Sequence, residues 1–397
     1  MQVTLAGLGC GTAATITAEV REALENADLL AGAARLLESL PEGLTPRRTC
    51  AVKPREIVEA LLASGSEHAC VLYSGDSGFY SGARGLLPLL AERGIEARVL
   101  PGVSSVQYLA AKLGRPWQDW CLRSAHGVDC DAVEAVCRGV PACFLTGGAL
   151  GPGELCRQLA EAGLGALPVT VGENLSCPEE RLTRGTAADF AGRESAPLSV
   201  LLAEAAPISP RRTPGIPDGE FQRGSVPMTK QEVRAAILGK LSVGPEDVCW
   251  DIGAGTGGVS VELALQARSV WAVERDPEAL ELLRANRERF HAWKLRVVEG
   301  RAPEALQGLP APDAVFVGGS GGELPRILQT VHDVGPAARI CVSAIALETL
   351  HTALERLTAL GYETEVTQIA VSRCRPAGSL HLLMAQNPVF LITGVRP

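Results

Sequence analysis

The sequence predicts an α/β protein built as two domains, and three observations carry that prediction. Short apolar runs repeatedly end in glycine-rich loops that open into amphipathic segments, beginning with VTLAGLG at 3–9. Such alternation is the mark of a parallel sheet whose loops gather along one edge. A proline-rich stretch, APISPRRTPGIPDGEFQRGS at 206–225, then interrupts the pattern and reads as a boundary. Beyond it the alternation restarts around DIGAGTGGVSVELA at 251–264. At 397 residues, 46% of them hydrophobic, the chain is long enough for two separate cores.

The first strand, 3–9, runs into Gly9, Cys10, Gly11 and Thr12. A helix with Val20, Ala23, Leu24 and Ala27 on its apolar stripe follows, then a short strand at Leu29 and Leu30. Residues 55–63 repeat the helical period. A strand from Cys70 to Tyr73 ends in SGDSGFYSGA, and a helix over 82–94 comes next. The strand EARVL leads to PGVSSVQYLAAKLG, where Ser104 or Ser105 is placed to cap the next helix. After RPWQDWCLRSAHGVD a second lobe is expected. Its parts are a strand at 142–148, a helix at 154–163, a strand at 168–175 and a strand at 196–204.

Past the boundary, Thr229 is expected to cap a helix, with Glu232 completing a capping box. Strands are then expected at 248–252, 270–274, 294–298, 313–318 and 338–343, and helices at 258–266, 277–289, 323–332 and 347–360. Two closing strand segments, ETEVTQIAV and SLHLLMAQNPVFLITG, suit an antiparallel hairpin added to a parallel sheet.

Composition narrows the function. Net charge is −8, split as −7 over residues 1–205 and −1 over 206–397. A nucleic-acid binder needs a basic face, so no nucleic-acid partner is expected. No apolar run reaches the roughly 18–20 residues of a membrane span, and no basic segment precedes the first strand. The twelve cysteines include no C-x-x-C, and the six histidines have no ligand spacing. Reduced, buried thiols in a cytoplasmic protein without a metal site are expected.

The chemistry concentrates at 251–274. Gly253, Gly255 and Gly257 alternate where a strand turns into a helix, so backbone N–H groups can approach a ligand with no Cβ in the way. Glu274 closes the next apolar run, where an acid can accept hydrogen bonds from both hydroxyls of a ribose. The spacing is G-x-G-x-G rather than the dinucleotide G-x-G-x-x-G.

This loop resembles the first motif of the Rossmann-like S-adenosylmethionine methyltransferases. The N-terminal motifs GLGCG, YSGDSGFYSGA, PGVSSVQYLAAKLGRPWQDW, SAHG, LTGG and VGENLSCPEERLTRGTA resemble another class, the tetrapyrrole methylases, in their cobalamin-pathway branch. GIPDGEFQRGSVPMTKQEVR, WDIGAGTGG, VVEGRAPEAL and FVGGSGGEL are similar to the decarboxylating methyltransferases of corrin synthesis. The resemblance implies a two-lobed tetrapyrrole methylase fold over 1–205, a linker at 206–215, and a Rossmann-like methyltransferase fold over 216–397. It implies methylation of a tetrapyrrole (precorrin) macrocycle at C5 and C15, with loss of CO₂ from the C12 acetate.

S-adenosyl-L-methionine is the implied cofactor. Its candidate contacts in the C-terminal domain are Thr229, Gly253, Ala254, Gly255, Thr256, Gly257, Glu274 and Ala302. In the N-terminal domain they are Gly9, Gly11, Asp76, Phe79, Ser104 and Ser105. His126, Gly318 and Gly319 are candidate substrate contacts, GGSGG at 318–322 standing where amino-group methyltransferases carry N/D-P-P-Y/F. Asp76 also suits a turn cap, and His126 a structural role. Arg223, Arg234 and Arg375 are the arginines considered for substrate carboxylates, with surface solvation the plainer expectation for each. Cys10, Val128 and Arg301 depart from the relatives' usual proline, arginine and acid. A homo-oligomer is expected. The rival readings are an RNA methyltransferase working through the C-terminal domain, a non-catalytic tetrapyrrole-binding protein and a nucleotide-dependent oxidoreductase.

Overall fold

The computed structural model describes residues 1–209 and 213–396. The middle of the expected linker, 210–212, and the final residue of the expected C-terminal domain lie outside the described residues. Two compact units emerge, the first ending at Ala205 and the second running from Ala206 onward.

The first unit opens with β1 (Gln2–Gly7), β2 (Leu29–Gly32), β3 (Arg47–Cys50), β4 (His68–Tyr73) and β5 (Ala97–Leu100), in the order β3-β2-β4-β1-β5. Every pairing in this sheet is parallel. Helices cover both faces, so the central strands are apolar on both sides. Val3 and Leu5 pack with Ile57, Leu61 and Leu86, while Ala6 packs with Val20, Leu24 and Leu36.

A second sheet holds β6 (Cys121–Ser124), β7 (Ala142–Leu145), β8 (Pro168–Glu173), β9 (Arg181–Thr186) and β10 (Ser199–Ala203), ordered β6-β7-β10-β8-β9. Only β6 and β7 run parallel. Strands β6 and β9 escape the sequence reading because both are edge strands with partly exposed, polar-rich patterns, CLRS and RLTRGT.

The second unit has a seven-stranded sheet and a separate hairpin. Its strands are β11 (Val248–Ile252), β12 (Ser269–Glu274), β13 (Leu295–Glu299), β14 (Ala314–Val317), β15 (Arg339–Ala344), β16 (Glu363–Ile369), β17 (Ser372–Ala377), β18 (Leu380–Ala385) and β19 (Val389–Val395). The order β13-β12-β11-β14-β15 is parallel, and β19 and β16 follow antiparallel. The sheet is buried on both faces: Cys249 points into one core with Ile237, Val261 and Phe316, and Trp250 into the other with Leu328, Ile340 and Leu357.

Two sequence expectations are corrected here. SLHLLMAQNPVFLITG is not one strand but β18 and β19, and among the described residues β17 pairs with β18 alone. Residues 386–388, QNP, break the run, since proline cannot donate to a ladder. The helix Gln231–Leu241 is capped by the backbone of Lys230 without a side-chain bond, so Thr229 and Glu232 form no capping box. Glu232 is drawn into an ion pair instead, accepting from Arg373 at 2.6 and 3.0 Å, while the Thr229 backbone carbonyl accepts from Arg234 Nη1 at 2.5 Å.

Arg234 is also not surface-solvated; it is fully buried. It donates to Glu262 and Asp218, each at 2.8 Å, and to the Ile216 carbonyl. Glu262, itself fully buried, accepts from Thr213 Oγ1 (2.8 Å), Gly215 N (2.5 Å) and Ile216 N (3.2 Å). The end of the proline-rich stretch is thereby clamped onto the helix that follows the glycine loop. Burial alone would raise the Asp218 carboxyl, but hydrogen bonds and charge from Arg234 and then Arg373 outweigh it and hold it below the usual carboxylate range. Arg223 and Arg375 are exposed.

Candidate functional sites, one in each unit

In the second unit the chain leaves β11 for β12 and β13 on one side of the sheet, then returns to β14 and β15 on the other. Ligands of open α/β sheets bind outside the strand ends where the order reverses. A cavity of about 210 Å³ lies there, lined by the loops after β11, β12, β13 and β14. Gly253, Glu274, Ala302 and Gly319 all line it. Thr229, Gly255, Thr256, Gly257 and Gly318 do not, nor does Ala254.

Gly253 has φ +73°, and a Cβ there would sit 2.4 Å from the Gly319 carbonyl oxygen. Gly318 and Gly319 in turn donate to the Ile252 carbonyl at 2.9 and 3.3 Å. The GGSGG segment is therefore packed on the glycine loop at its start. At Gly255 (φ +56°) a Cβ would face the Pro227 carbonyl at 3.5 Å, away from the cavity lining.

Glu274 is already a hub. Its carboxylate accepts from Gly255 N (2.8 Å), Arg275 N (2.7 Å) and Asp276 N (2.9 Å), holding the glycine loop against β12. A carboxylate offers about four acceptor positions, so one remains for a ligand hydroxyl. Ala302 is buried beside the cavity, and Arg301 reaches from that loop to the Gly321 carbonyl and to Glu323.

Two buried atoms below the loop, Asp251 Oδ1 and Thr256 Oγ1, have no partner among the described residues. Asp251 Oδ2 accepts from Ser260 Oγ. Burial pushes the Asp251 carboxyl up to about 7; the Ser260 hydroxyl opposes the shift and the Glu274 charge adds to it. A raised folded-state value means the stabilising proton is fully held below the unfolded value of about 3.9 and is lost as pH rises through about 7. Asp251→Asn removes that loss. Its melting temperature should therefore rise relative to the native chain between pH 4 and 8, the gap widening with pH; a gap independent of pH would place the ionisable group elsewhere.

In the first unit a cleft of about 420 Å³ is lined from both sheets. The ends of β1, β4 and β5 meet there through Gly7, Gly75 and Gly102, where a Cβ on Gly102 would lie 2.3 Å from the Gly75 carbonyl oxygen. Asp76 ties this junction together, accepting from Gly78 N (2.9 Å) and Gly102 N (3.0 Å). It thus caps its turn while lining the cleft. Ser104 caps the helix Ser105–Leu113 with a full capping box to Gln107, and both serines line the cleft. Phe79 lines it with Tyr80, a residue the sequence reading passed over. Tyr80 has φ +48°, outside the range a bulky residue normally adopts, and its hydroxyl donates to the Leu122 carbonyl at 3.3 Å. That bond joins the β4 loop to β6.

Gly9 and Gly11 stand just behind the wall, with φ +77° and +118°, and Cys10 between them reaches the cleft. Burial, then Cys177, pushes the Cys10 thiol up to about 12, so it is no nucleophile. His126 lies on the opposite wall with Nδ1 3.4 Å from the Thr146 carbonyl. None of the twelve cysteines forms a disulfide, and no His/Cys/Asp/Glu group suited to a metal occurs among the described residues. No helix among them is long and apolar enough to cross a membrane.

Two glycine-lined sites on α/β sheets, one with an acid at the end of its second strand, stand in a chain whose two parts both match methyltransferase families. Residues 2–191 match the tetrapyrrole (corrin/porphyrin) methylases, and residues 220–396 match the precorrin methyltransferase domain. A precorrin-6Y C(5,15)-methyltransferase (decarboxylating) of Sinorhizobium sp is 32% identical over 389 residues, covering 95% of this chain and 92% of the relative. A cobalt-precorrin-6B C(15)-methyltransferase (decarboxylating) of Salmonella typhimurium is 42% identical over 180 residues, covering 44% of this chain and 93% of that protein. A crystal structure of a precorrin-6Y C5,15-methyltransferase from Geobacter metallireducens GS-15 is 39% identical, with a TM-score of 0.44, and covers 46% of this chain and 96% of that one. The chain belongs to the decarboxylating precorrin-6Y C5,15-methyltransferase family.

Proposed function

We propose that this chain methylates C5 and C15 of precorrin-6Y, or its cobalt counterpart, and removes CO₂ from the C12 acetate, in cobalamin biosynthesis. The observation that carries this reading is the presence of two separate glycine-lined sites in a chain aligned over nearly its whole length with a decarboxylating C5,15-methyltransferase. A tetrapyrrole carrier would need a cleft for the macrocycle but not a glycine-loop site in each unit, and an RNA methyltransferase would use one.

S-adenosyl-L-methionine is the proposed methyl donor at both sites, supplying a methyl group on a sulfonium leaving group. In the second unit Gly253 and Ala302 offer backbone at the cavity wall, and Glu274 its remaining acceptor position. In the first unit Asp76, Phe79, Ser104 and Ser105 are the proposed contacts, with Gly9 and Gly11 shaping the loop behind. Ala254, Gly255, Thr256 and Gly257 are proposed to shape the second-unit glycine loop from outside the cavity lining, with Thr229 proposed as a further contact just ahead of helix 231–241. His126, Gly318 and Gly319 are proposed on the substrate side.

The chain's own task is to orient and to exclude water, and orientation can supply on the order of 7–11 kcal/mol of a barrier. In the decarboxylation the bond from the acetate carbon to its carboxyl breaks, and the electron pair enters the conjugated macrocycle. CO₂ leaves, and a proton from water completes the new methyl group. The proposed division is C5 methylation in residues 1–205, a linker at 206–215, and C15 methylation with decarboxylation in 216–397. Incubation with metal-free and cobalt-containing substrate should yield two methyl groups gained and one CO₂ lost for at least one of them, with calorimetry near two cofactors per chain. A single methyl gained on both substrates would sink the reading. The proposed setting is the cytoplasm, without nucleic-acid or membrane partners.

A homo-oligomer is part of the proposal. Strand β18, LHLLMA, is exposed throughout, with Leu380 at 65% and Leu383 at 75%. It carries no proline, no carboxylate and no lysine, the devices that blunt an edge strand, and its outer edge is unpaired among the described residues. Antiparallel pairing with β18 of a second copy opposes no like charges and makes a closed two-fold contact. Light scattering should report a multiple of 41.6 kDa for the native chain and 41.6 kDa for Leu382→Asp/Leu383→Asp. A native chain at the single-chain mass would overturn it.

A further inference from the structure

None of the three arginines considered from the sequence lines the first-unit cleft, yet the proposed substrate carries several carboxylates. One arginine does line it. Arg35 lies in the short helix Ala34–Glu38, directly after β2, at the strand ends where the loops of the sheet gather. Its side chain makes no hydrogen bond or ion pair among the described residues. Neighbouring arginines are committed: Arg48 donates to the Leu37 carbonyl, Arg47 to Ser64 and Ser66, and Arg123 pairs with Glu134.

Nor does the cleft hold a carboxylate for it. Asp76 is the single acidic residue among the described lining, and it makes no ion pair with Arg35, its carboxylate accepting from two backbone N–H groups instead. Arg35 is the one permanently charged cation of that lining, in a domain whose sequence is net −7. Beside it Leu36, Ala51, Val52 and Ile57 give the wall an apolar surface, Val52 being 62% exposed. An apolar wall bordered by one free guanidinium fits a flat conjugated ring that carries carboxylate arms. A guanidinium holds a carboxylate through two parallel N–H bonds, which sets orientation as well as affinity.

We propose that Arg35 anchors a carboxylate arm of the tetrapyrrole in the first-unit cleft and so determines which edge of the macrocycle faces that unit's methyl-transfer site. The inference rests on the proposed function, and it assigns Arg35 a specificity role without any part in the bond changes. Its test uses the full chain with Arg35→Gln and Arg35→Lys. For C5 methylation, KM for precorrin-6Y should rise roughly 10- to 100-fold in Arg35→Gln, the effect of losing hydrogen bonds between charged groups. KM should recover in part in Arg35→Lys, which keeps the charge but not the fork. Cofactor affinity, melting temperature, C15 methylation and CO₂ release should not move.

A direct binding measurement separates failure here from failure of the underlying reading. Uroporphyrin, an octacarboxylic macrocycle, and its octamethyl ester are titrated against the native chain and Arg35→Gln, following porphyrin fluorescence. The native chain should prefer the acid, and the substitution should erase most of that preference. If the native chain methylates C5 but Arg35→Gln leaves both KM and the acid preference unchanged, the anchor is overturned. A loss of melting temperature or cofactor affinity that accounts for the KM change also overturns it, since Arg35 would then be supporting the fold. A native chain inactive at C5 counts against the proposed function, while the porphyrin titration still decides the role of Arg35.

Discussion

Gly253→Ala is expected to stop C15 methylation and CO₂ release while C5 methylation continues. The new Cβ would sit 2.4 Å from the Gly319 carbonyl oxygen and 2.7 Å from its nitrogen, at a residue held at φ +73°. Neither neighbour is a side-chain end that can swing aside; both are backbone, fixed by the bonds of Gly318 and Gly319 to Ile252. Relief requires the two loops that wall the cavity to part. A misplacement of about 1 Å at a reacting centre costs on the order of 100-fold in rate, and αL strain on a non-glycine residue adds about 1–2 kcal/mol. The product should gain one methyl and keep its acetate, which mass spectrometry reads directly. CO₂ release at the native rate would mean decarboxylation does not belong to the second-unit site.

Arg234→Met should have the largest effect on stability. The substitution leaves Glu262 fully buried and Asp218 nearly so, each without its main counter-charge. Breaking a buried pair from one side costs about 3–5 kcal/mol, and at about 2–4 °C per kcal/mol for a unit of this size the second unit should melt some 6–20 °C lower. Asp218 fixes the pH dependence. Its depressed carboxyl contributes stability that is present above the unfolded value of about 3.9 and is lost as pH falls. The gap between native and variant should therefore narrow in acid. A calorimetric scan showing less than about 2 °C difference at pH 7 would contradict the clamp.

The two cases show where sequence reading reached and where it stopped. The α/β class, the strand–loop–helix order, the glycine loop and Glu274 follow from local rules: period, turn chemistry and the φ that glycine permits. The capping box at Thr229 failed although its residues matched the pattern. Glu232 found a stronger partner in Arg373, more than a hundred positions along the chain, and a cap competes only with what tertiary contacts leave free. Arg234 misled for the same reason: an arginine on a helix looks solvated unless the buried carboxylates meeting it are known. Arg35 could have been found by applying to the end of β2 the rule used for the end of β11, but helix 34–38 carries no glycine signature to draw the eye.

The sequence alone determined the fold class and, through motif resemblance, the family, because glycine loops, strand periodicity and turn residues act over a few positions each. Tertiary structure alone decided three further things. Gly253 meets Gly319 across the switch point, Glu262 holds the end of the proline-rich stretch, and Arg35 stands uncommitted on the wall of the cleft. Each depends on residues brought together by sheet order or by the packing of helices, and neither is encoded in any single stretch of chain.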